Sequence, residues 1–186
     1  METRSGKTSR LGVPAGIKAV FLVGFMGAGK TSVGKVLAEM LGWEFEDLDR
    51  RIEGRQNQSV GQIFAAAGEA GFRAAETEAL KSALLELPAE GKVMALGGGA
   101  FNSPENAAML DEVGLITILL QAPIEELYRR CEEQTLERPL RRSFEEFCKL
   151  HEQRIPAYRR ATFAVETLGK PVQEVANEII RLLGRS

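Results

Sequence analysis

The stretch Ala19-Val20-Phe21-Leu22-Val23-Gly24-Phe25-Met26-Gly27-Ala28-Gly29-Lys30-Thr31-Ser32 decides how the rest of the chain is read. Five apolar residues in a row read as a buried strand. Gly24 through Gly29-Lys30-Thr31 has the spacing of a phosphate-binding loop. Beyond it Val33, Val36, Leu37, Met40 and Leu41 recur at helical spacing until Gly42 ends the pattern. Strand, glycine loop and helix in that order suit phosphate: glycines let backbone N–H groups turn inward, Lys30 reaches the terminal phosphates, and Thr31 offers a hydroxyl oxygen to Mg²⁺. The first-turn N–H groups of the helix lack intrahelical partners and carry the positive end of its dipole, so an anion there is doubly favoured. A plain turn would need only one or two glycines, and Lys-Thr would add nothing to its packing. Gly6-Lys7-Thr8 repeats the end of the motif, but Met1 stands where the leading glycine belongs and no strand precedes it.

Composition bounds the function. With 186 residues, 44% hydrophobic and 27% charged, the chain reads as an ordinary globular protein of one domain. A net charge of −2 excludes a general nucleic-acid binder, which needs a basic excess. Arginines do gather at 129, 130, 138, 141, 142, 154, 159 and 160, interleaved with glutamates, and most of them read as a solvated face. Cys131 and Cys148 stand apart with no metal-ligand spacing, so packed, reduced thiols and a cytoplasmic setting are expected. The single histidine, His151, reads as a surface or partly packed imidazole. Residues 1–16 are polar, contain Gly and Pro, lack the apolar core of a secretory signal, and are expected to form a disordered tail ahead of one domain over 17–186. No stretch approaches the length of a membrane span, and no long apolar element demands a partner, so a monomer is expected.

Along the chain, Trp43-Glu44-Phe45-Glu46-Asp47-Leu48-Asp49 reads as a strand ending in two carboxylates. Asp47 and Asp49, two apart on extended chain, would point to one side, toward the crevice at the strands' carboxyl ends. One of them could equally cap the next helix. Short helices are expected over 52–57 and 60–67, then a break at Gly68-Glu69-Ala70-Gly71 and a longer helix from Phe72 to Leu87. Arg73 and Glu76 lie one turn apart, a spacing that ordinarily gives a surface ion pair of at most about 1 kcal/mol. Val93-Met94-Ala95-Leu96 is a buried strand running into Gly97-Gly98-Gly99, and three glycines at a strand end imply backbone approached closely by a ligand. Ser103-Pro104 opens a helix. Residues 115–120 form a further apolar strand, followed by a helix through Arg130. The arginine-rich segment 132–142, with Arg138-Pro139-Leu140, reads as a mobile lid. A capped helix from Ser143 carries Arg154, and a last strand at 162–165 precedes a helix from Pro171 to Leu183. Strand and helix alternate throughout, which predicts an α/β fold: three α/β/α layers around a parallel sheet of about five strands.

Taken together, Gly24-Phe25-Met26-Gly27-Ala28-Gly29-Lys30-Thr31, Asp47-Leu48-Asp49, Gly71-Phe72-Arg73 with Glu76, Gly97-Gly98-Gly99-Ala100, Arg138-Pro139-Leu140 and Arg154-Ile155-Pro156-Ala157-Tyr158 resemble shikimate kinase, a small P-loop kinase family of the nucleoside-monophosphate-kinase type. The resemblance covers residues 18–183. It implies transfer of the γ-phosphoryl group of ATP to the 3-hydroxyl of shikimate, within chorismate and aromatic amino-acid synthesis. Gly27, Ala28, Gly29, Lys30, Thr31 and Ser32 would hold the phosphates, with Thr31 and, through water, Asp47 near Mg²⁺. Asp49 would hold the acceptor hydroxyls and take the proton of the attacking one. Arg73 and Arg154 would bind the acceptor carboxylate, Glu76 would support them, and Gly97, Gly98 and Gly99 would bring backbone against the ring. Arg138 would act from the lid, and Arg130 and Pro171 would flank adenine. Arg141 and Arg142 depart from the family pattern, where a second leucine is more usual after Leu140. Two converging arginines suit a carboxylate, which matches the planar guanidinium fork. The alternatives are a related small-molecule kinase of gluconate-kinase type and a binding protein that kept the fold and lost the reaction.

Overall fold

The computed structural model describes residues 13–14, 16–133 and 143–185. Five strands form one sheet in the order β2-β3-β1-β4-β5, with every neighbouring pair parallel. β1 (Ala19–Val23) lies at its centre, hydrogen-bonded to β3 (Lys92–Ala95) on one side and β4 (Ile116–Gln121) on the other. All five residues of β1 are buried, which is why it reads as an unbroken apolar run rather than an alternating one. The edge strands are β2 (Glu44–Asp47) and β5 (Phe163–Glu166), and both carry carboxylates. Because β2, β3 and β1 are neighbours and parallel, the loops at their carboxyl ends face one another. Those loops hold Asp47-Leu48-Asp49, Gly97-Gly98-Gly99 and the residues 24–29.

Helices cover the sheet. α1 (Lys30–Leu41) has the expected bounds, starting from a left-handed Gly29 and ending at a left-handed Gly42 whose N–H bonds back to the carbonyls of Ala38 and Glu39. α2 (Leu48–Gln56) begins one residue after β2. The reading of Asp49 as strand is therefore corrected: Asp47 is the N-cap, its side chain accepts the Asp49 N–H at 3.1 Å, and Asp49 lies in the first helical turn. A short polar side chain at a strand end bonded to the next backbone N–H starts the helix earlier than alternation suggests.

α3 (Val60–Leu85) opens with a capping box, Ser59 and Gln62, and is broken by the non-helical Gly68 at φ 67 and ψ −173. The break is one residue long rather than four, and the helical turns after it carry Arg73 and Glu76. Ser103 caps α4 (Pro104–Glu112) with proline in its first turn, and the following elements are α5 (Ile124–Glu133), α6 (Phe144–Tyr158), capped by Ser143 and Glu146, and α7 (Val172–Leu183) after Pro171. α7 lays Val175, Ala176, Ile179, Ile180 and Leu183 into the core and packs on α1. Val13, within the segment expected to be tail, is buried in the same core. Arg138, Arg141 and Arg142, with the rest of the segment beyond Glu133 expected to form a lid, lie outside the described residues.

Candidate active site

The phosphate loop follows directly from β1. Gly27 sits at φ 80 and Gly29 at φ 89, where a side chain is strained, and a Cβ on Gly27 would stand 2.5 Å from the Leu127 carbonyl oxygen and 3.0 Å from the Cys131 sulfur of α5. Glycine there is thus required by backbone shape and by the neighbouring helix. Lys30 folds back so that its Nζ donates to the carbonyls of Gly24 at 2.8 Å and Phe25 at 3.0 Å. Burial pulls its ammonium down to about 8, with Asp49 and Asp47 pulling the other way. Thr31 Oγ1 donates to Asp47 Oδ2 at 2.8 Å, so the hydroxyl and the carboxylate read from the sequence as metal-shell groups are in contact. Asp47 therefore caps α2 with one oxygen and meets Thr31 with the other. Ser32 follows on the exposed face of the helix start.

The acceptor half is built on the three glycines. A Cβ on Gly97 would stand 2.6 Å from Asp49 Oδ1 and 3.1 Å from Glu76 Oε1; one on Gly98 would stand 3.1 Å from an Arg154 nitrogen; one on Gly99 would stand 2.7 Å from the Arg73 guanidinium carbon. Each glycine is thus covered by a different charged side chain, and any larger residue would displace it. Asp49 comes from α2, Arg73 and Glu76 from α3, and Arg154 from α6, so four side chains from three helices converge on one short backbone. Arg73 donates to Glu76 Oε2 at 2.7 Å. This is not the surface pair that spacing alone suggests: Glu76 is 1% exposed and Arg73 reaches out from it. Burial raises the Glu76 carboxyl, against the pull of Arg73, and its other oxygen, Oε1, is buried without a hydrogen-bond partner among the described residues.

The glycine backbone is itself held from behind. Thr77 donates to Asn106 Oδ1 at 2.8 Å and Asn106 Nδ2 donates to the Ala100 carbonyl at 3.0 Å, all within the core. Tyr158 donates its hydroxyl hydrogen to the Gly98 carbonyl. Neither link was visible in the sequence, although Tyr158 belongs to the Arg154-Ile155-Pro156-Ala157-Tyr158 motif. Arg154 lies over the ring of Phe25, 5.5 Å from its centroid. His151 also meets that ring edge-on at 5.1 Å, a packed imidazole as expected.

On the far side of the phosphate loop, Arg130 is held by Glu126 at 2.7 Å and donates to Thr167 Oγ1 at 3.0 Å and the Thr167 carbonyl at 3.2 Å. It ties α5 to Thr167, four residues before Pro171, and also donates to the Gly27 carbonyl at 3.4 Å. Among the described residues no group of three or more His, Cys, Asp or Glu could hold a metal ion on its own. Among them, too, no helix is long and apolar enough to cross a membrane.

A parallel sheet with a phosphate loop at its centre strand, beside a strip of glycine backbone faced by Asp49, Arg73 and Arg154, has the architecture of a P-loop phosphotransferase. The family model described as shikimate kinase matches residues 26–184. The shikimate kinase of Geobacter metallireducens is 42% identical over 175 residues, covering 92% of this chain and 95% of that one. A solved shikimate kinase from Acinetobacter baumannii in complex with shikimate is similar at a TM-score of 0.81 and 32% identity, over 91% of this chain and 94% of the other. The chain belongs to the shikimate kinase family. A gluconokinase from Sinorhizobium meliloti, 19% identical at a TM-score of 0.56 over 90% of this chain and 92% of the other, shares the fold alone.

Proposed function

We propose that this site transfers the γ-phosphoryl group of ATP to the 3-hydroxyl of shikimate, with its residues in the roles that the family resemblance implies. The observation that carries the assignment is the placement of Asp49, Arg154 and Arg73 over Gly97, Gly98 and Gly99 in turn. Two guanidinium groups and a carboxylate facing one strip of bare backbone suit an acceptor with a carboxylate at one end and hydroxyls at the other.

In the reaction the acceptor oxygen forms a bond to the γ-phosphorus while the bond from that phosphorus to the bridging oxygen breaks, releasing ADP. The hydroxyl proton passes to Asp49. Catalysis of this kind is mainly positioning and charge stabilisation, so the fixed distances between phosphate loop and glycine strip are its main instrument. Lys30 leaves the Gly24 and Phe25 carbonyls for the terminal phosphates. Arg138 is assigned the charge on the transferring group, and Arg130 and Pro171 the adenine ring. Thr31 and Asp47, two oxygen donors in contact, suit Mg²⁺, which favours oxygen ligands and keeps waters and phosphate oxygens as its remaining ligands. When bound, Mg²⁺ would neutralise charge on the nucleotide phosphates. A cytoplasmic monomer belongs to the same proposal; among the described residues the exposed large apolar side chains, Phe64, Leu85, Val113, Phe144 and Leu168, come from separate parts of the chain.

Steady-state kinetics of three variants test the roles. Arg73→Ala and Arg154→Ala are each expected to raise KM for shikimate by about tenfold or more, the effect of losing a charged hydrogen bond, with little change in KM for ATP. Asp49→Asn is expected to lower kcat by about 10²-fold or more, the usual contribution of a general base. Unchanged shikimate KM in both arginine variants, or near-normal turnover in Asp49→Asn, would remove the corresponding assignment.

A further inference from the structure

We propose that Tyr158 and Phe25 are positioning residues that together fix Arg154 and the Gly98 peptide, and so set the affinity of the site for the acceptor's carboxylate. The proposal rests on the reading of Arg154 as a carboxylate-binding residue and assigns what holds it there.

Arg154 and Tyr158 lie one turn apart on α6, so both project onto the same face. A Cβ on Gly98 would stand 3.1 Å from Arg154 Nη1 and 3.9 Å from the Tyr158 hydroxyl, so both side chains meet the glycine strip at one residue. The Tyr158 O–H donates to the Gly98 carbonyl across 60 residues of chain. Since a trans peptide points its C=O and the next N–H in opposite directions, tying the Gly98 carbonyl to α6 turns the Gly99 N–H away from α6. Tyr158 is 3% exposed, and burial pushes its phenol up to about 12, with Arg154 pulling the other way, so the hydroxyl stays protonated and able to donate.

Phe25 supplies the other wall. It is buried, with the Arg154 guanidinium 5.5 Å from its ring centroid and the Phe147 ring edge-on at 4.8 Å behind it. A guanidinium over an aromatic face is attracted electrostatically and loses little freedom when a carboxylate arrives. The same residue's carbonyl accepts from Lys30. Phe25 therefore touches the phosphate-binding lysine through its backbone and the carboxylate-binding arginine through its ring. Phe25 thus lies between the donor and acceptor halves.

The test compares Tyr158→Phe, which removes only a hydroxyl, and Phe25→Leu, which keeps apolar bulk but removes the π face, using shikimate and its neutral carboxamide analogue as acceptors. Tyr158→Phe is expected to raise KM for shikimate about tenfold, and Phe25→Leu about threefold, while KM for ATP stays within about twofold and KM for the carboxamide barely moves. Arg154→Ala is run alongside. If it raises KM for shikimate but Tyr158→Phe does not, the positioning role is wrong and the carboxylate assignment stands. If Arg154→Ala has no effect, both fall together. Equal losses toward shikimate, carboxamide and ATP, tracking a lowered melting temperature, would mean that the two aromatics serve folding only and would overturn the proposal.

Discussion

In its proposed role Lys30 has to be a cation to hold phosphate, yet burial in its loop lowers its pKa to about 8. The sign of the consequence is definite. Below about 8 the ammonium is present; above it the free protein loses the charge, so kcat/KM for ATP is expected to fall as pH rises from 7.5 to 9.5, approaching tenfold per unit at the upper end. Stability moves the other way: between about 8 and the ordinary lysine value the unfolded chain binds the proton that the folded one has released, so this group makes folding more favourable as pH rises through that window. A pH series of ATP kinetics beside urea unfolding of wild type and Lys30→Met checks both, because the substitution should remove this group's part of the stability slope. An ATP kcat/KM that stays flat to pH 9.5 would show that the lysine keeps its charge.

The elements are placed so that side chains far apart in sequence meet at the glycine strip, and the supports of that strip can be tested without touching the site. Asn106 on α4 connects Thr77 of α3 to the Ala100 carbonyl and is completely buried. Asn106→Ala strands two buried groups, each costing about 1–3 kcal/mol when left unsatisfied, so urea unfolding is expected to show a loss of roughly 2–6 kcal/mol and weaker shikimate binding. Unchanged stability would mean that water replaces the side chain there. Local signals made much of this arrangement legible. The glycines at both ends of α1 marked its bounds, Ser103 and Ser143 marked helix starts, and the unbroken apolar runs marked the central strands. The links that depend on chain separation were not legible: Tyr158 to Gly98, Thr77 to Asn106, and the burial of Glu76 beneath Gly97. Spacing shows that Arg73 and Glu76 share a turn, but only the folded loop from β3 shows that one of them is inside. Asp49 was misplaced for a local reason, because Asp47 both ends a strand and caps a helix.

At the scale of the whole molecule, the strand order puts β2, β3 and β1 side by side, so Asp47, the glycine strip and the phosphate loop share one end of the sheet, at the strands' carboxyl ends. In the proposed assignment, the phosphate and acceptor sites lie on neighbouring loops, with Phe25 between them. The central claim is that this end is a shikimate kinase active site, and ADP release with Mg-ATP tests it most directly, run with shikimate, with gluconate and with no acceptor, for wild type and Lys30→Ala. ADP release that depends on shikimate, is absent with gluconate, and disappears in Lys30→Ala is the predicted result. Turnover with gluconate but not shikimate, or ATP binding without turnover on either, would contradict it.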